Sequence, residues 1–143
     1  MRSYLVVGHQ TLDSPELAEA IRERMATGPA TFHVVVPAAP IQRGLTWDED
    51  EAREAAQARL EAAIERLSAD GATVTGEIGN RDPVEATEDA LRGREVDEVL
   101  LSTLPPGISR WLGQDVPSRL KGSILVPVTV VTTLRESVST TAT

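Results

Sequence analysis

The chain contains no cysteine. Disulfides, thiolate-held zinc and cysteine nucleophiles are therefore excluded. Aromatic residues make up only 3% of its 143 residues. Val, Leu, Ile and Ala must fill the core, and small aliphatic cores suit α/β folds with buried parallel strands. Basic residues are scarce as well: 14 Lys and Arg stand against 22 Asp and Glu, for a formal net charge of −8, and Lys121 is the only lysine. An acidic chain without a basic cluster is repelled by DNA, RNA and anionic lipid, so neither nucleic acid nor a membrane is expected as a partner. The N-terminal stretch MRSYLVVGHQ has one apolar run, too short for a signal-peptide core or a membrane span. The expected location is cytoplasmic.

What is present points to a folded globule. Hydrophobic residues reach 41%, well above the range of disordered chains. Tyr4 to Val7 is apolar and β-prone and ends at Gly8. Ser14-Pro15 supplies an N-cap and a first-turn proline. Leu17, Ala18, Ile21 and Met25 recur at helical spacing until Gly28-Pro29. Phe32 to Val36 reads as a second strand, and residues 37–47 (PAAPIQRGLTW) as a loop. DEDE at 48–51 opens a long helix, where negative charge suits the helix dipole. Ala52, Ala56, Leu60, Ala63, Ile64 and Leu67 form its apolar stripe. Ala72 to Ile78 reads as strand three, and Asp82-Pro83 with Glu85 as a helix start close to a capping box. Val84, Thr87 and Leu91 are its inward face. Val96 to Leu101 is strand four. A loop with two prolines and a tryptophan follows (STLPPGISRWLGQDV), then a helix around Val116 to Leu120. Ile124 to Thr133 is a Val-rich fifth strand.

Strands alternating with helices predict a single-domain three-layer α/β sandwich over residues 1–133, with a five-stranded parallel sheet, and a polar, disordered tail at 134–143. Ligands in such sheets sit beyond the carboxyl ends of the strands, where the strand order reverses. The loops of interest are Gly8 to Asp13 and Ser102 to Asp115.

The strand and helix order, the GNRDPVEA segment, the GISRWLGQDV loop and the ending LVPVTVV together resemble the universal stress protein family over nearly the whole chain. The resemblance implies strand order 3-2-1-4-5, a small cytoplasmic protein and a homodimer formed through the last strand. A large subgroup of that family binds ATP through Gly-x-x-Gly, nine residues, then Gly-Ser or Gly-Thr. The glycines let backbone amides approach the phosphates. Gly107-Ile108-Ser109-Arg110 matches the start of the second half of this pattern. The first glycine falls at Leu101 or Ser102, the second at or near Pro105, and the final pair becomes Gln114-Asp115. Pro105 and Pro106 lack amide hydrogens. Asp115, before Val116-Pro117, reads as an N-cap whose carboxylate takes the free helix amides itself. A carboxylate about 4 Å from a phosphate charge costs about 1 to 4 kcal/mol at effective dielectrics of 80 to 20. ATP is therefore not expected to bind in the family's usual way, and no resident cofactor is expected. The alternative is a regulator that holds adenine nucleotide in a variant loop, with Gly107, Ser109, Arg110 and Gly113 as its elements.

The candidate cleft comprises Gly8, His9, Val36, Ser102, Thr103, Gly107, Ser109, Arg110, Gly113, Gln114 and Asp115. Its small-molecule ligand is not specified by the sequence. Where the family tends to place an aspartate, this chain has Gly8-His9-Gln10, and Asp13 is better explained by the helix start. His9 stands at the cleft mouth. It can contact a ligand or titrate near neutral pH. The bland reading is a polar residue at a strand end. Ser102 and Thr103 can serve a ligand or simply satisfy local backbone in the loop. Arg110, Arg119 and Lys121 give this segment a locally positive balance. It can bind an anion or be a solvated face. Trp111 can plug the cleft or pack in the core, and Trp47 can cover the cleft as a lid.

His33 lies inside strand two and is read as structural. Two histidines with no acidic partner at ligand spacing make no metal site. Gly8-His9 is half of the His-x-Gly-His motif of nucleotidylyltransferases, but the first histidine would be Val6. There is no Gly-x-Ser-x-Gly elbow. No catalytic residues are assigned, and an enzyme is not expected. LVPVTVV would be an aggregation hazard at a sheet edge unless paired. Val126, Val128 and Val130 are the expected dimer-strand residues, with Pro127 suited to the edge.

Overall fold

The computed structural model describes residues 1–38, 49–105, 107 and 109–134, with the side chains of Glu49 and Arg110 left aside. The strands are β1 (Arg2–Val7), β2 (Ala30–Pro37), β3 (Thr73–Gly79), β4 (Glu98–Thr103) and β5 (Val128–Thr132). The helices are α1 (Pro15–Ala26), α2 (Glu49–Ala69), α3 (Pro83–Leu91), α4 (Arg110–Gly113) and α5 (Val116–Ser123), and a 3-10 turn occupies Gln10–Asp13. All neighbours in the five-stranded sheet are parallel, in the order β3-β2-β1-β4-β5. This is the expected order. The sequence reverses direction across the sheet between β1 and β4, which places the crevice beyond their carboxyl ends.

Both faces of the sheet are covered, which explains the unbroken apolar runs in β1 and β4. Tyr4, Val6, Phe32, Val34, Val36, Leu100 and Val131 pack with Leu17 and Ile21 of α1 and Ala56, Leu60 and Ala63 of α2. Their alternates Leu5, Val7, Val35, Val99 and Leu101 pack with Val84 and Ala90 of α3 and Val116 and Leu120 of α5. The single Tyr and single Phe are opposite each other in the β1–β2 register, and their rings stack at 5.2 Å.

Proline and its preceding polar residue set two helix starts. Ser14 Oγ accepts from Leu17 N at 3.1 Å, and Asp82 Oδ1 from Val84 N at 3.1 Å. The apolar stripe of α2 is buried as its spacing predicts, with Ile64 at the margin. Gly76 of β3 sits under that stripe. A Cβ there would stand 2.4 Å from Leu60 Cδ1 and 3.0 Å from the Val34 carbonyl.

Several boundaries differ from the sequence reading. β2 extends to Ala30–Pro37 and β3 is shifted by one residue, to Thr73–Gly79. β4 runs two residues further than expected because Ser102 and Thr103 pair with Val131 and Thr132. β5 begins only at Val128, so Val126 precedes the strand and Pro127 is not within it. The chain before it is held instead by the Pro127 carbonyl, which accepts from Val99 N at 2.9 Å. The 3-10 turn and α4 are additional elements, each four residues long. Such lengths leave no periodicity to read. The loop from 39 to 47 with Trp47, Asp48, Pro106, Ile108 and the tail from 135 lie outside the described residues.

One polar clamp ties the β5 edge to the body. Glu98 of β4 accepts from Arg24 Nε at 3.2 Å and from Arg24 Nη2 at 3.0 Å, and it also accepts from the Thr129 hydroxyl of β5. Burial alone would raise the Glu98 pKa. The hydrogen bonds from Arg24 and Thr129, with the Arg24 and Arg2 charges, outweigh it and hold the carboxyl below its ordinary 4.5.

Candidate functional site

The carboxyl end of the sheet is built from the β1–α1 connection, the end of β2 and the segment after β4. Gly8 is there for packing: a Cβ would stand 2.8 Å from Leu12 Cδ2 and 3.2 Å from Ser102 Cβ. Ser102 is buried at the end of β4, not in a loop, and shares a 2.5 Å hydrogen bond with Thr11. That bond pins the 3-10 turn to the sheet. Val36 is fully buried among the core residues under α2 and offers no surface.

His9 and Thr103 are different. His9 is 8% exposed and Thr103 2%, yet His9 Nε2 and Thr103 Oγ1 have no hydrogen-bond partner. Burial, helped by the nearby Arg59 charge, holds the His9 imidazole below its ordinary 6.5. The ring is thus neutral at physiological pH rather than poised to titrate there. Arg59 reaches across from α2, and its guanidinium donates to the Gln10 carbonyl at 3.4 Å. The sequence reading passed over Arg59. Its only signal is its place beside Leu60, on the flank of the α2 stripe.

The segment after β4 folds back on itself. Ser109 N donates to the Pro105 carbonyl at 3.0 Å, Gly113 N to the Ser109 carbonyl at 3.0 Å, and Asp115 N to the Leu112 carbonyl at 3.1 Å. The Ser109 hydroxyl is buried and accepts from Leu112 N at 3.1 Å. Gly107 takes φ +95°, where glycine is favoured, while a side chain at Gly113 would meet open space. Trp111 is half-buried against the layer containing Val116 and Leu120.

Asp115 corrects the sequence reading. It precedes α5 as expected, but at φ 58° and ψ 39° it is left-handed, and its side chain caps no amide. It is the only non-glycine residue with positive φ among the described residues. An N-cap side chain reaches its amides from extended backbone, and this conformation aims it elsewhere. Gln114 beside it is exposed. Arg119 is paired with Asp82 at 3.3 Å, Lys121 is exposed, and the side chain of Arg110 lies outside the described residues.

His33 does have an acidic partner, contrary to the sequence reading. Its Nε2 lies 2.9 Å from Glu77 Oε2 and its Nδ1 2.7 Å from the Thr75 hydroxyl. The register sets His33 opposite Thr75 on β3, so these partners flank it across the strands. Among the described residues, no three His, Cys, Asp or Glu side chains are grouped to hold a metal, and no helix is long and apolar enough to cross a membrane.

Neither a family model nor a curated protein matches the sequence. Among solved structures, a protein from the universal stress protein family of Burkholderia pseudomallei superposes with a TM-score of 0.64 at 19% identity, over 90% of this chain and 94% of that one. The chain has the universal stress protein fold. The resemblance in the sequence therefore holds at the level of architecture, from the 3-2-1-4-5 sheet to the crevice between β1 and β4.

Proposed function

We propose that the chain is a universal-stress-protein-like regulatory or stress-response module rather than an enzyme. On this reading it is a cytoplasmic homodimer paired through β5, it carries no resident cofactor, and it does not hold ATP in the usual way. The observation that carries the ATP part is the segment after β4. Amides that a phosphate would need, at Ser109, Leu112, Gly113 and Asp115, already donate within the segment. Pro105 has none to offer. A triphosphate would have to unmake α4 to be cradled there.

Dimerisation is supported by the place of β5. It is an edge strand with β4 as its neighbour, and Val128 and Val130 are half-buried. Leu125, just before it, is fully exposed. An unpaired apolar edge is a liability that a second copy removes. Val126 would contribute from the connection rather than from the strand.

A second reading, a nucleotide regulator with a variant loop, is favoured by Asp115. Its side chain leaves the first turn of α5 uncapped, so the carboxylate does not occupy the anion position. Titration calorimetry with ATP, with and without magnesium, separates the two readings. No heat at high protein concentration supports the first. Micromolar binding establishes the second and refutes the first. Light scattering on the same sample should give twice the mass of one chain, and Val130→Lys should halve it.

A further inference from the structure

His33 is 9% exposed, and both of its ring nitrogens are engaged. Nδ1 lies 2.7 Å from the Thr75 hydroxyl and Nε2 2.9 Å from Glu77 Oε2. The proton positions follow from the partners. An ionised carboxylate only accepts. In the neutral ring Nε2 therefore carries the proton and donates to Glu77. Nδ1 is left with its lone pair, and the Thr75 hydroxyl must donate to it. A hydroxyl bonded to a base, with that base oriented by a third group, is the arrangement that activates an oxygen nucleophile. The ring is turned over relative to the Ser-His-Asp triad, in which Nε2 meets the hydroxyl, but the three roles are the same.

Two paired strands build this arrangement without help from a loop. The register sets His33 directly opposite Thr75. Glu77 lies two residues further along β3, so its side chain shares a face with that of Thr75. Arg94 Nη2 stands 3.9 Å from the same Glu77 oxygen, an ion pair that steadies the carboxylate. Groups held on strands keep their spacing better than groups held on loops.

One side of the cluster is open. His33 is buried, but Thr75 is exposed, and β3 is an edge of the sheet. Helix α3 covers the carboxyl end of this face: a Cβ on Gly79 would stand 2.8 Å from Ala86 Cβ. Thr75 lies four residues before Gly79 and remains accessible. Its single proton is given to His33, which leaves the oxygen lone pairs free for an electrophile. An open face contributes little binding energy, so the group transferred must be activated in itself.

We propose that Thr75 is an acyl-acceptor site, with His33 as its general base and Glu77 positioning His33, and that it takes the acyl group of a small activated ester or thioester. The Thr75 oxygen attacks the acyl carbon and forms the new C–O bond, and its proton passes to His33 Nδ1. The bond from the acyl carbon to the leaving oxygen or sulfur breaks. The leaving group departs with that electron pair and takes up the proton from His33. Each chain gains one acyl group as an ester, and no other reactant is consumed. The inference goes beyond the regulatory reading, because β2 and β3 carry it and the crevice between β1 and β4 does not.

The test uses p-nitrophenyl acetate on the full chain. Release of p-nitrophenolate is followed by absorbance, and the acetyl group is located by peptide mass mapping. An ester at Thr75, cleaved by hydroxylamine, is expected at about tenfold or more above that at any other Ser or Thr. His33→Gln should slow acetylation of Thr75 by about a hundredfold, within the range of general-base catalysis. Thr75→Ser should retain the reaction, and Thr75→Val, a change of like shape at an exposed position, should lose it. Nitrogen NMR of the wild type should place the His33 proton on Nε2. Glu77→Gln should lose that preference and slow acetylation by about tenfold or more. No acetyl group at Thr75, acetyl groups spread evenly over the hydroxyls, or a His33 proton on Nδ1 would each overturn the proposal, and the wild type alone decides all three. An unchanged rate in folded His33→Gln would overturn it as well. The mass and the ATP calorimetry, read on the same sample, report the fate of the regulatory reading independently.

Discussion

Removing the Glu98 carboxylate should loosen the β5 edge in a pH-dependent way. Glu98→Gln keeps the shape of the side chain but removes its charge. The substitution weakens two hydrogen bonds from Arg24 and forces one amide hydrogen toward a donor. The Arg24 and Glu98 side chains are 19% and 20% exposed, so the pair is neither fully screened nor fully buried. Charge-assisted hydrogen bonds of this kind contribute about 1.5 to 3 kcal/mol, and we expect a loss of about 2 kcal/mol at pH 7. For a chain of this size that is about 6 °C in Tm, or about 1 M in the urea midpoint. The sign with pH follows from the lowered pKa. A carboxylate bound more tightly to its charge in the folded state stabilises fully above the unfolded value near 4.5, and loses that contribution as pH falls through the folded value. Urea melts of the wild type and Glu98→Gln should therefore converge below pH 4.5. A gap of equal size at pH 7 and at pH 3 would refute the electrostatic account, and so would a gap below about 0.5 kcal/mol at pH 7.

Asp115→Gly should stabilise the chain by up to about 1 kcal/mol by relieving a left-handed residue, as measured by thermal melts; a loss of stability would show that the Asp115 side chain has a role of its own. Gly76→Ala should cost about 1 to 3 kcal/mol, because its Cβ would meet Leu60 and the Val34 carbonyl, and chemical denaturation will measure it. The His9 ring should titrate below 6.5 by NMR. Since the unfolded chain takes up that proton more readily, stability should fall as pH drops below 6.5, and His9→Phe should flatten that slope.

The architecture was legible because its punctuation is local. Ser14-Pro15 and Asp82-Pro83 cap the helices they announce, and the apolar runs of β1 and β4 are unbroken because both faces are covered. The errors lie where pairing overrides propensity. Ser102 and Thr103 read as loop residues, yet β5 holds them in the ladder. The strand expected from Ile124 begins at Val128, after Pro127. Asp115 had the composition of an N-cap and lacked the backbone for it. The site itself was legible in its residue names but not in its relations. His9 and Thr103 were both candidates, but nothing local reveals that each is buried without a partner, or that Arg59 from α2 sits beside the ring. The Glu77 partner of His33 becomes visible only once β2 and β3 are in register.

The middle of the sheet closes late in the life of the chain. β1 pairs with β4 through Tyr4 and Glu98, ninety-four residues apart. At translation rates of about 5 to 20 residues per second, β1 waits about 5 to 20 s for that neighbour. During the interval Leu5 and Val7 lack Val99 and Leu101 beside them, and the growing end of the sheet is the inner strand β1 rather than β5. The nascent chain is thus most vulnerable to misassociation along a strand whose residues Tyr4 to Val7 the finished protein buries. A release or stall before residue 98 leaves a fragment with its most hydrophobic edge outward.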